Sequence, residues 1–339
     1  MSSNGSTHNK GLLIVGSADV KRALSMSDCI EAVDQAMRAL SSGGADVPLR
    51  TVMKLPGGRN FFGVMPGYLA EPRGLGTKII TIFPDNAKLG LSSHVGLVLL
   101  FDSEIGFPLA VMDAGEVTAI RTAAASAVAT RALARHDASH LAILGTGEQA
   151  ITHLEAMSKV RSIRTVRVWG RSPDKAAAFA KEHGSRLGMK VEPAPTAEAA
   201  VSGADIICTV TASREPILNG AWLHKGAHVN LVGSSQLINR EADDDVVALS
   251  RFFVDSRVSA RAEAGELKHA MDAGLVSDSH VLGEIGEVLN GKVVGRTSNH
   301  DITVYKSLGV AAQDMAAARV IYDRAMRDGV GTTVPFFGH

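Results

Sequence analysis

Apolar positions near the start of the chain fall at helical spacing. Ile30, Val33, Met37 and Leu40 lie roughly on one face of a helix that Ser27 would cap and Gly43 and Gly44 would end. A stretch punctuated by glycine and proline follows. Within it, GLGTKIITIF (residues 74–83) and HVGLVLLFD (residues 94–102) have the composition of strands. SEIG (103–106) reads as a turn and FPLAVMD (107–113) as its hairpin partner. The first part of the chain is therefore expected to be mostly antiparallel sheet plus one helix.

The rhythm changes at Gly115. EVTAIRTAAASAVATRALAR is a long helix rich in alanine and serine, able to pack close to a neighbour. After it, short apolar runs alternate with helical stretches. LAILG leads into a helix, VRVWG into SPDKAAAFAKEHG, and TAEAAVSGADIICTVT runs from helix into strand before AHVNLVGS. That alternation predicts a parallel, doubly wound α/β sheet. A last helix over residues 310–329 lies beyond the final parallel strand and could fold back on the first domain, making it discontinuous.

Composition narrows the partners. Lys plus Arg and Asp plus Glu are both 35, which argues against nucleic acid or a membrane surface held mainly by charge. The opening MSSNGSTHNK is polar and expected to fray, without the apolar core of a signal peptide. Cys29 and Cys208 lie far apart in apolar contexts, as small buried residues of a reducing, cytoplasmic setting. The 12 histidines show no ligand spacing, so no metal is expected.

The chemistry centres on LAILGTGEQA. Gly145, Gly147 and Ala150 match G-x-G-x-x-G/A, with Thr146, Glu148 and Gln149 between them, in the strand–turn–helix setting that this motif needs to hold a dinucleotide. The helix N-terminus would face the pyrophosphate. Glu148 would repel that phosphate unless it faces away. After the next strand, where NAD sites usually carry an acid, Arg171 and Ser172 stand instead, and the nearest acid is Asp174. An arginine suits a 2′-phosphate, so NADPH is expected, with NADH possible. Thr211 and Ala212 follow the strand IICTV at the carboxyl edge, where such sheets bind ligands.

With GLGTKIITIFPDN, VLLFDSEIGFPLAVMDAGEVTAIRTAAASAVAT, ILGTGEQA, VRVWGRS and ITVYKSLGVAAQD in this order, the chain resembles the ornithine cyclodeaminase/mu-crystallin family. The resemblance implies a homodimer. It also implies a dimerisation and substrate domain of residues 1–118 and 308–339 beside a Rossmann-like domain of residues 119–307. Its members include cyclodeaminases, alanine and opine-type dehydrogenases, ketimine reductases and ligand carriers. Where cyclodeaminases carry an aspartate, this chain has Ser235 after Val232, Gly233 and Ser234, and serine cannot serve as that base. NLVGSSQ and RFFVDSRVSARAEAGEL look most like reductases of Δ1-pyrroline-2-carboxylate, a cyclic imino acid, and the six-membered Δ1-piperideine-2-carboxylate remains open. By resemblance Arg121 binds the substrate carboxylate, Lys78 hydrogen-bonds or protonates the substrate, and Arg50 is a second carboxylate contact. The segment holding Lys306 is expected near the nicotinamide, with Asp301 able to orient that lysine. Val232 and Gly233 are expected to contact the cofactor, and Ser235 the substrate. His94 is read as structural.

Overall fold

The computed structural model describes residues 11–336; the opening segment expected to fray lies outside them. Two sheets dominate. The first is 8-stranded and runs, from one edge, Thr332–Pro335, Gly11–Val15, Pro108–Asp113, His94–Phe101, Gly74–Ile82, Phe61–Leu69 and Ala45–Asp46, with Thr51–Lys54 also paired to Phe61–Leu69. Its pairings are antiparallel except that between Gly11–Val15 and Pro108–Asp113. The expected hairpin forms, with Asp102 Oδ1 accepting from Glu104 and Ile105 N–H to close its turn.

The second sheet is also 8-stranded, in the order Val191–Pro193, Thr165–Trp169, His140–Leu144, Ile206–Thr209, His228–Leu231, Ile302–Lys306, Ser250–Val254 and Val281–Glu284. All its pairings are parallel, and the order reverses direction beside His140–Leu144, as in a doubly wound nucleotide-binding sheet. Both of its faces are buried, which explains the unbroken apolar runs. Leu141, Ile143, Ile206 and Cys208 pack on one side, Ala142, Leu144, Ile207 and Val229 on the other.

The alanine-rich stretch forms one helix, Ala114–Leu133, which packs on helices Met26–Leu40 and Glu148–Val160 and on strands of both sheets. Its small side chains are buried nearly all round, so backbones approach closely. It crosses position 118 without a break. The last helix, Ala311–Asp328, packs against Met26–Leu40 and lies on the first sheet at Phe61–Leu69 and Gly74–Ile82. One early expectation is corrected. The cap of helix Met26–Leu40 falls two residues before the expected one: Ser25, not Ser27, accepts from Asp28 N–H. Asp28 then stands in the first turn, where the helix dipole favours it.

Candidate active site

The carboxyl edge of the parallel sheet and the inner face of the first sheet enclose a cavity of about 670 Å³. Strand alternation sets the floor. Lys78, Ile80 and Ile82 point inward from Gly74–Ile82, and Lys78 pairs across the sheet with Met65 and Val98. Arg121 enters from the second turn of Ala114–Leu133. Both cations are buried, at 2% and 5% exposure, and they share one carboxylate. Asp314 Oδ1 accepts from Lys78 Nζ at 2.9 Å and from Arg121 Nε at 3.0 Å. Arg121 Nη1 also donates to Gln313 Oε1 at 2.8 Å.

Asp314 sits in the first turn of Ala311–Asp328, the segment that leaves the parallel sheet and enters the first. Burial would raise its pKa, but Arg121 and Lys78 more than offset this and hold it below the usual carboxylate range. Lys78 also shifts downward, but for an amine that favours the neutral form. Burial and then the Arg121 charge bring its pKa down to about 7, with Asp314 opposing them. Lys78 can therefore exchange a proton near neutrality.

Arg50 also reaches this cavity, but its guanidinium is engaged across to the parallel-sheet side. It donates to the carbonyls of Leu308 and Gly309 at 2.6 and 2.8 Å, and Nε pairs with Glu263 at 2.8 Å. The N–H groups of the same Leu308 and Gly309 donate to Asp255 Oδ2 at 2.8 and 2.6 Å. Ser235 lines the cavity, as do Thr211, Ala212, Val232 and Gly233, and so does His94.

The turn after His140–Leu144 fits a dinucleotide. Gly145 has φ +135°, and a Cβ there would come within 2.8 Å of Val210 O, so only glycine fits. Open space surrounds the Cα of Gly147, leaving room for a pyrophosphate. Helix Glu148–Val160 has no side-chain cap, so its first N–H groups are free for an anion. Gly147, Glu148 and Gln149 line the cavity, and Ala150 is buried against the strand side. The buried hydroxyls of Thr118, Thr122 and Ser307 also line it and have no protein partner among the described residues.

Thr146 packs against Gly170, where a Cβ would lie 2.8 Å from its methyl. Arg171 follows Gly170, exposed and without an ion pair among the described residues, and Ser172 caps helix Pro173–Leu187. Both lie beyond the cavity, on the side of the turn where the adenosine end of a dinucleotide would extend. Lys306 is placed differently from expectation. It does not line the cavity; its side chain is fully buried and pairs with Glu266 at 2.9 Å. Nor does Asp301 orient it, since that carboxylate accepts from Thr297 and Ser298 in its own loop. No cluster of potential metal ligands is found among the described residues, and no described helix is long and apolar enough to cross a membrane.

Sequence reading did not single out Asp314, Gln313, Asp255 or Glu263. Asp314 was visible as an acid in the first turn of the last helix, but its partner Lys78 lies 236 positions earlier.

Comparison with known proteins agrees with this geometry. Residues 12–329 match the model of the ornithine cyclodeaminase/mu-crystallin family. The chain is 34% identical to a Delta(1)-pyrroline-2-carboxylate reductase of Bacillus cereus, over 96% of this chain and 100% of that protein. It is 40% identical to the mouse ketimine reductase mu-crystallin, over 83% of this chain and 86% of that one. The structure of Thermococcus litoralis Delta(1)-pyrroline-2-carboxylate reductase in complex with NADH and L-proline superposes with a TM-score of 0.92 at 36% identity, covering 95% of this chain and 100% of the other. With its parallel nucleotide-binding sheet, its cation pair on one carboxylate and this breadth of similarity, the chain belongs to the ornithine cyclodeaminase/mu-crystallin family.

Proposed function

We propose that this chain reduces a cyclic ketimine carboxylate to the L-imino acid, with Δ1-pyrroline-2-carboxylate giving L-proline as the leading substrate. The observation that carries it is the charge balance at the cavity. Lys78 and Arg121 share the single carboxylate Asp314, so the buried cluster has one positive charge to spare when Lys78 is protonated. A substrate carboxylate supplies the missing anion, and Arg121 has the planar donors to grip it. The relatives named reductases of this imine support the same reading.

The nicotinamide dinucleotide, when bound, supplies the hydride that reduces the C=N bond. The chain does the rest. Gly145, Gly147 and the first N–H groups of Glu148–Val160 would hold the pyrophosphate, and Thr211, Ala212, Val232 and Gly233 would border the other half of the cofactor. Arg121 orients the substrate through its carboxylate. Lys78 holds a proton near the imine nitrogen, and protonation there makes the carbon a better acceptor. The enclosing lobes exclude water.

Ser235 favours reduction over cyclodeamination, since a hydroxyl lines the cavity where a carboxylate base would be needed. The test pairs two assays: loss of NADPH absorbance with Δ1-pyrroline-2-carboxylate, and ammonia release from ornithine. NADPH consumption with proline formed and no ammonia is expected. Ammonia and proline from ornithine without net NADPH change would overturn the reading, and tight NADPH binding without turnover would make the chain a carrier.

NADPH preference belongs to the same proposal and rests on Arg171. Arg171→Ala should lower kcat/KM for NADPH about tenfold while leaving NADH within about twofold. Equal losses with both cofactors would remove the 2′-phosphate role.

A homodimer also belongs to it. On the outer face of the first sheet, Met53, Phe62, Val64, Ile79, Val95 and Leu97 form an apolar patch, and Met53, Val95 and Leu97 are 54%, 50% and 47% exposed. Such a patch suits a self-complementary interface. We assign residues 1–118 and 308–339 to the dimerisation and substrate domain and 119–307 to the dinucleotide domain, and we place the enzyme in the cytoplasm.

A further inference from the structure

Glu241 is fully buried beneath the carboxyl edge of the parallel sheet, and nothing in the reaction above uses it. Its carboxylate collects donors from the ends of two neighbouring strands. Oε2 accepts from Thr209 Oγ1 at 2.7 Å and from Gly233 N–H at 2.6 Å. Oε1 accepts from Thr211 N–H at 2.6 Å and from Thr211 Oγ1 at 2.7 Å. The residue is anchored in turn. Its N–H donates to Glu266 Oε1 at 3.0 Å, its carbonyl accepts from Ile217 and Leu218 N–H, and Glu266 pairs with Lys306. Gly233 is pressed so close that a Cβ would lie 2.0 Å from Thr211 O and 2.5 Å from Glu241 Oε1.

Thr211 and Gly233 face the cavity. The consequence for Thr211 is chemical. A hydroxyl has one proton, and here it is committed to Glu241. One lone pair receives the Ser213 N–H at 3.2 Å. What remains for a ligand is a lone pair, so Thr211 can only accept.

We propose that Glu241 is a positioning residue that fixes the Thr211 and Gly233 edge and makes the Thr211 hydroxyl an acceptor for a donor group on the nicotinamide-riboside half of the dinucleotide. This rests on the reading of the cleft as a nicotinamide dinucleotide site. The donors available on that half are the ribose hydroxyls and the carboxamide NH₂. Burial raises the Glu241 pKa above its usual value against the opposing bonds from Thr211 and Thr209 and the Lys306 charge; the two backbone N–H groups and two hydroxyls aimed at its oxygens are the donor set of a carboxylate. A glutamine there must turn an NH₂ toward one pair of donors. That disrupts the Gly233 contact or reverses the Thr211 hydroxyl.

The test uses the full chain and two probes, NADH and ADP; ADP lacks the nicotinamide riboside. Glu241→Gln should weaken NADH about tenfold and leave ADP within about twofold, as expected for losing a hydrogen bond to a charged group. Thr211→Val should weaken NADH selectively, Thr211→Ser should restore it, and the Glu241→Gln/Thr211→Val double variant should lose less than the product of the two single effects. Equal weakening of NADH and ADP, unchanged NADH affinity, or fully multiplicative effects would overturn the proposal. If Glu241→Gln does not fold, the Thr211 pair decides alone: a Thr211→Val variant that binds NADH normally overturns it. Wild-type protein binding neither probe would instead overturn the reading of the cleft.

Discussion

Arg121→Ala should lower kcat/KM for Δ1-pyrroline-2-carboxylate by roughly 30- to several-thousand-fold, the equivalent of about 2–5 kcal/mol for truncating one partner of a desolvated charge pair. The guanidinium is buried, and its Nε and Nη1 are fixed by Asp314 and Gln313. Its orientation therefore exists before substrate arrives, and the loss falls on substrate binding and rate together. NADH affinity should stay close to wild type, because the Arg121 guanidinium is held by Asp314 and Gln313 of the last helix and bonds to no residue of the dinucleotide turn. The variant also predicts a shift in pH dependence. Arg121 is one of the groups that lower the Lys78 pKa to about 7, so its removal should move the alkaline limb of the kcat/KM profile above that value. Steady-state kinetics across pH check both. Normal kcat/KM in Arg121→Ala would remove the carboxylate clamp, and an unmoved limb would mean that Lys78 does not govern it.

The architecture was legible where periodicity and burial agree. Parallel strands such as His140–Leu144 are buried on both faces, so their apolar runs announce them, and GTGEQA marks the turn by chemistry that only glycine permits. Long-range pairing left no such mark. Gly11–Val15 and Thr332–Pro335 complete the first sheet from opposite parts of the chain, and each is too short to declare a partner. Lys306 shows how a single strand position decides. It precedes the cavity-lining Ser307, Leu308 and Gly309, but it shares strand parity with Val304, which packs in the core on the opposite side of the sheet from Tyr305. Its ammonium therefore meets Glu266 instead of a ligand. The cations of the site were readable as residues that need a reason to be buried. Their counter-ion was not, because a carboxylate in the first turn of a helix already has a local explanation in the helix dipole.

Asp314→Asn tests that counter-ion, and its largest effect should be on stability. The substitution keeps the shape but leaves Lys78 and Arg121 buried without a negative partner. Breaking such a cluster costs about 3–5 kcal/mol, so Tm should fall well below wild type at neutral pH. The sign of the pH dependence follows from Lys78. Its folded pKa is already below the ordinary lysine value of 10.5, and Asp314 is the charge that opposes the fall, so in the variant it drops below about 7. The unfolded lysine stays protonated in this range, so neutralising the folded one lets stability rise with pH. In wild type that rise begins near 7; in Asp314→Asn it begins at lower pH. The deficit between the two proteins is therefore greatest in mild acid, above the range where Asp314 itself takes a proton in wild type, and shrinks as pH climbs toward 7. The alkaline limb of activity should move the same way, below the wild-type value and opposite to Arg121→Ala. Thermal melts across pH and the two kinetic profiles give the answer together. Limbs that move in the same direction in both variants would show that Asp314 and Arg121 do not act on Lys78 with opposite charge, and the shared-carboxylate account of the site would fail.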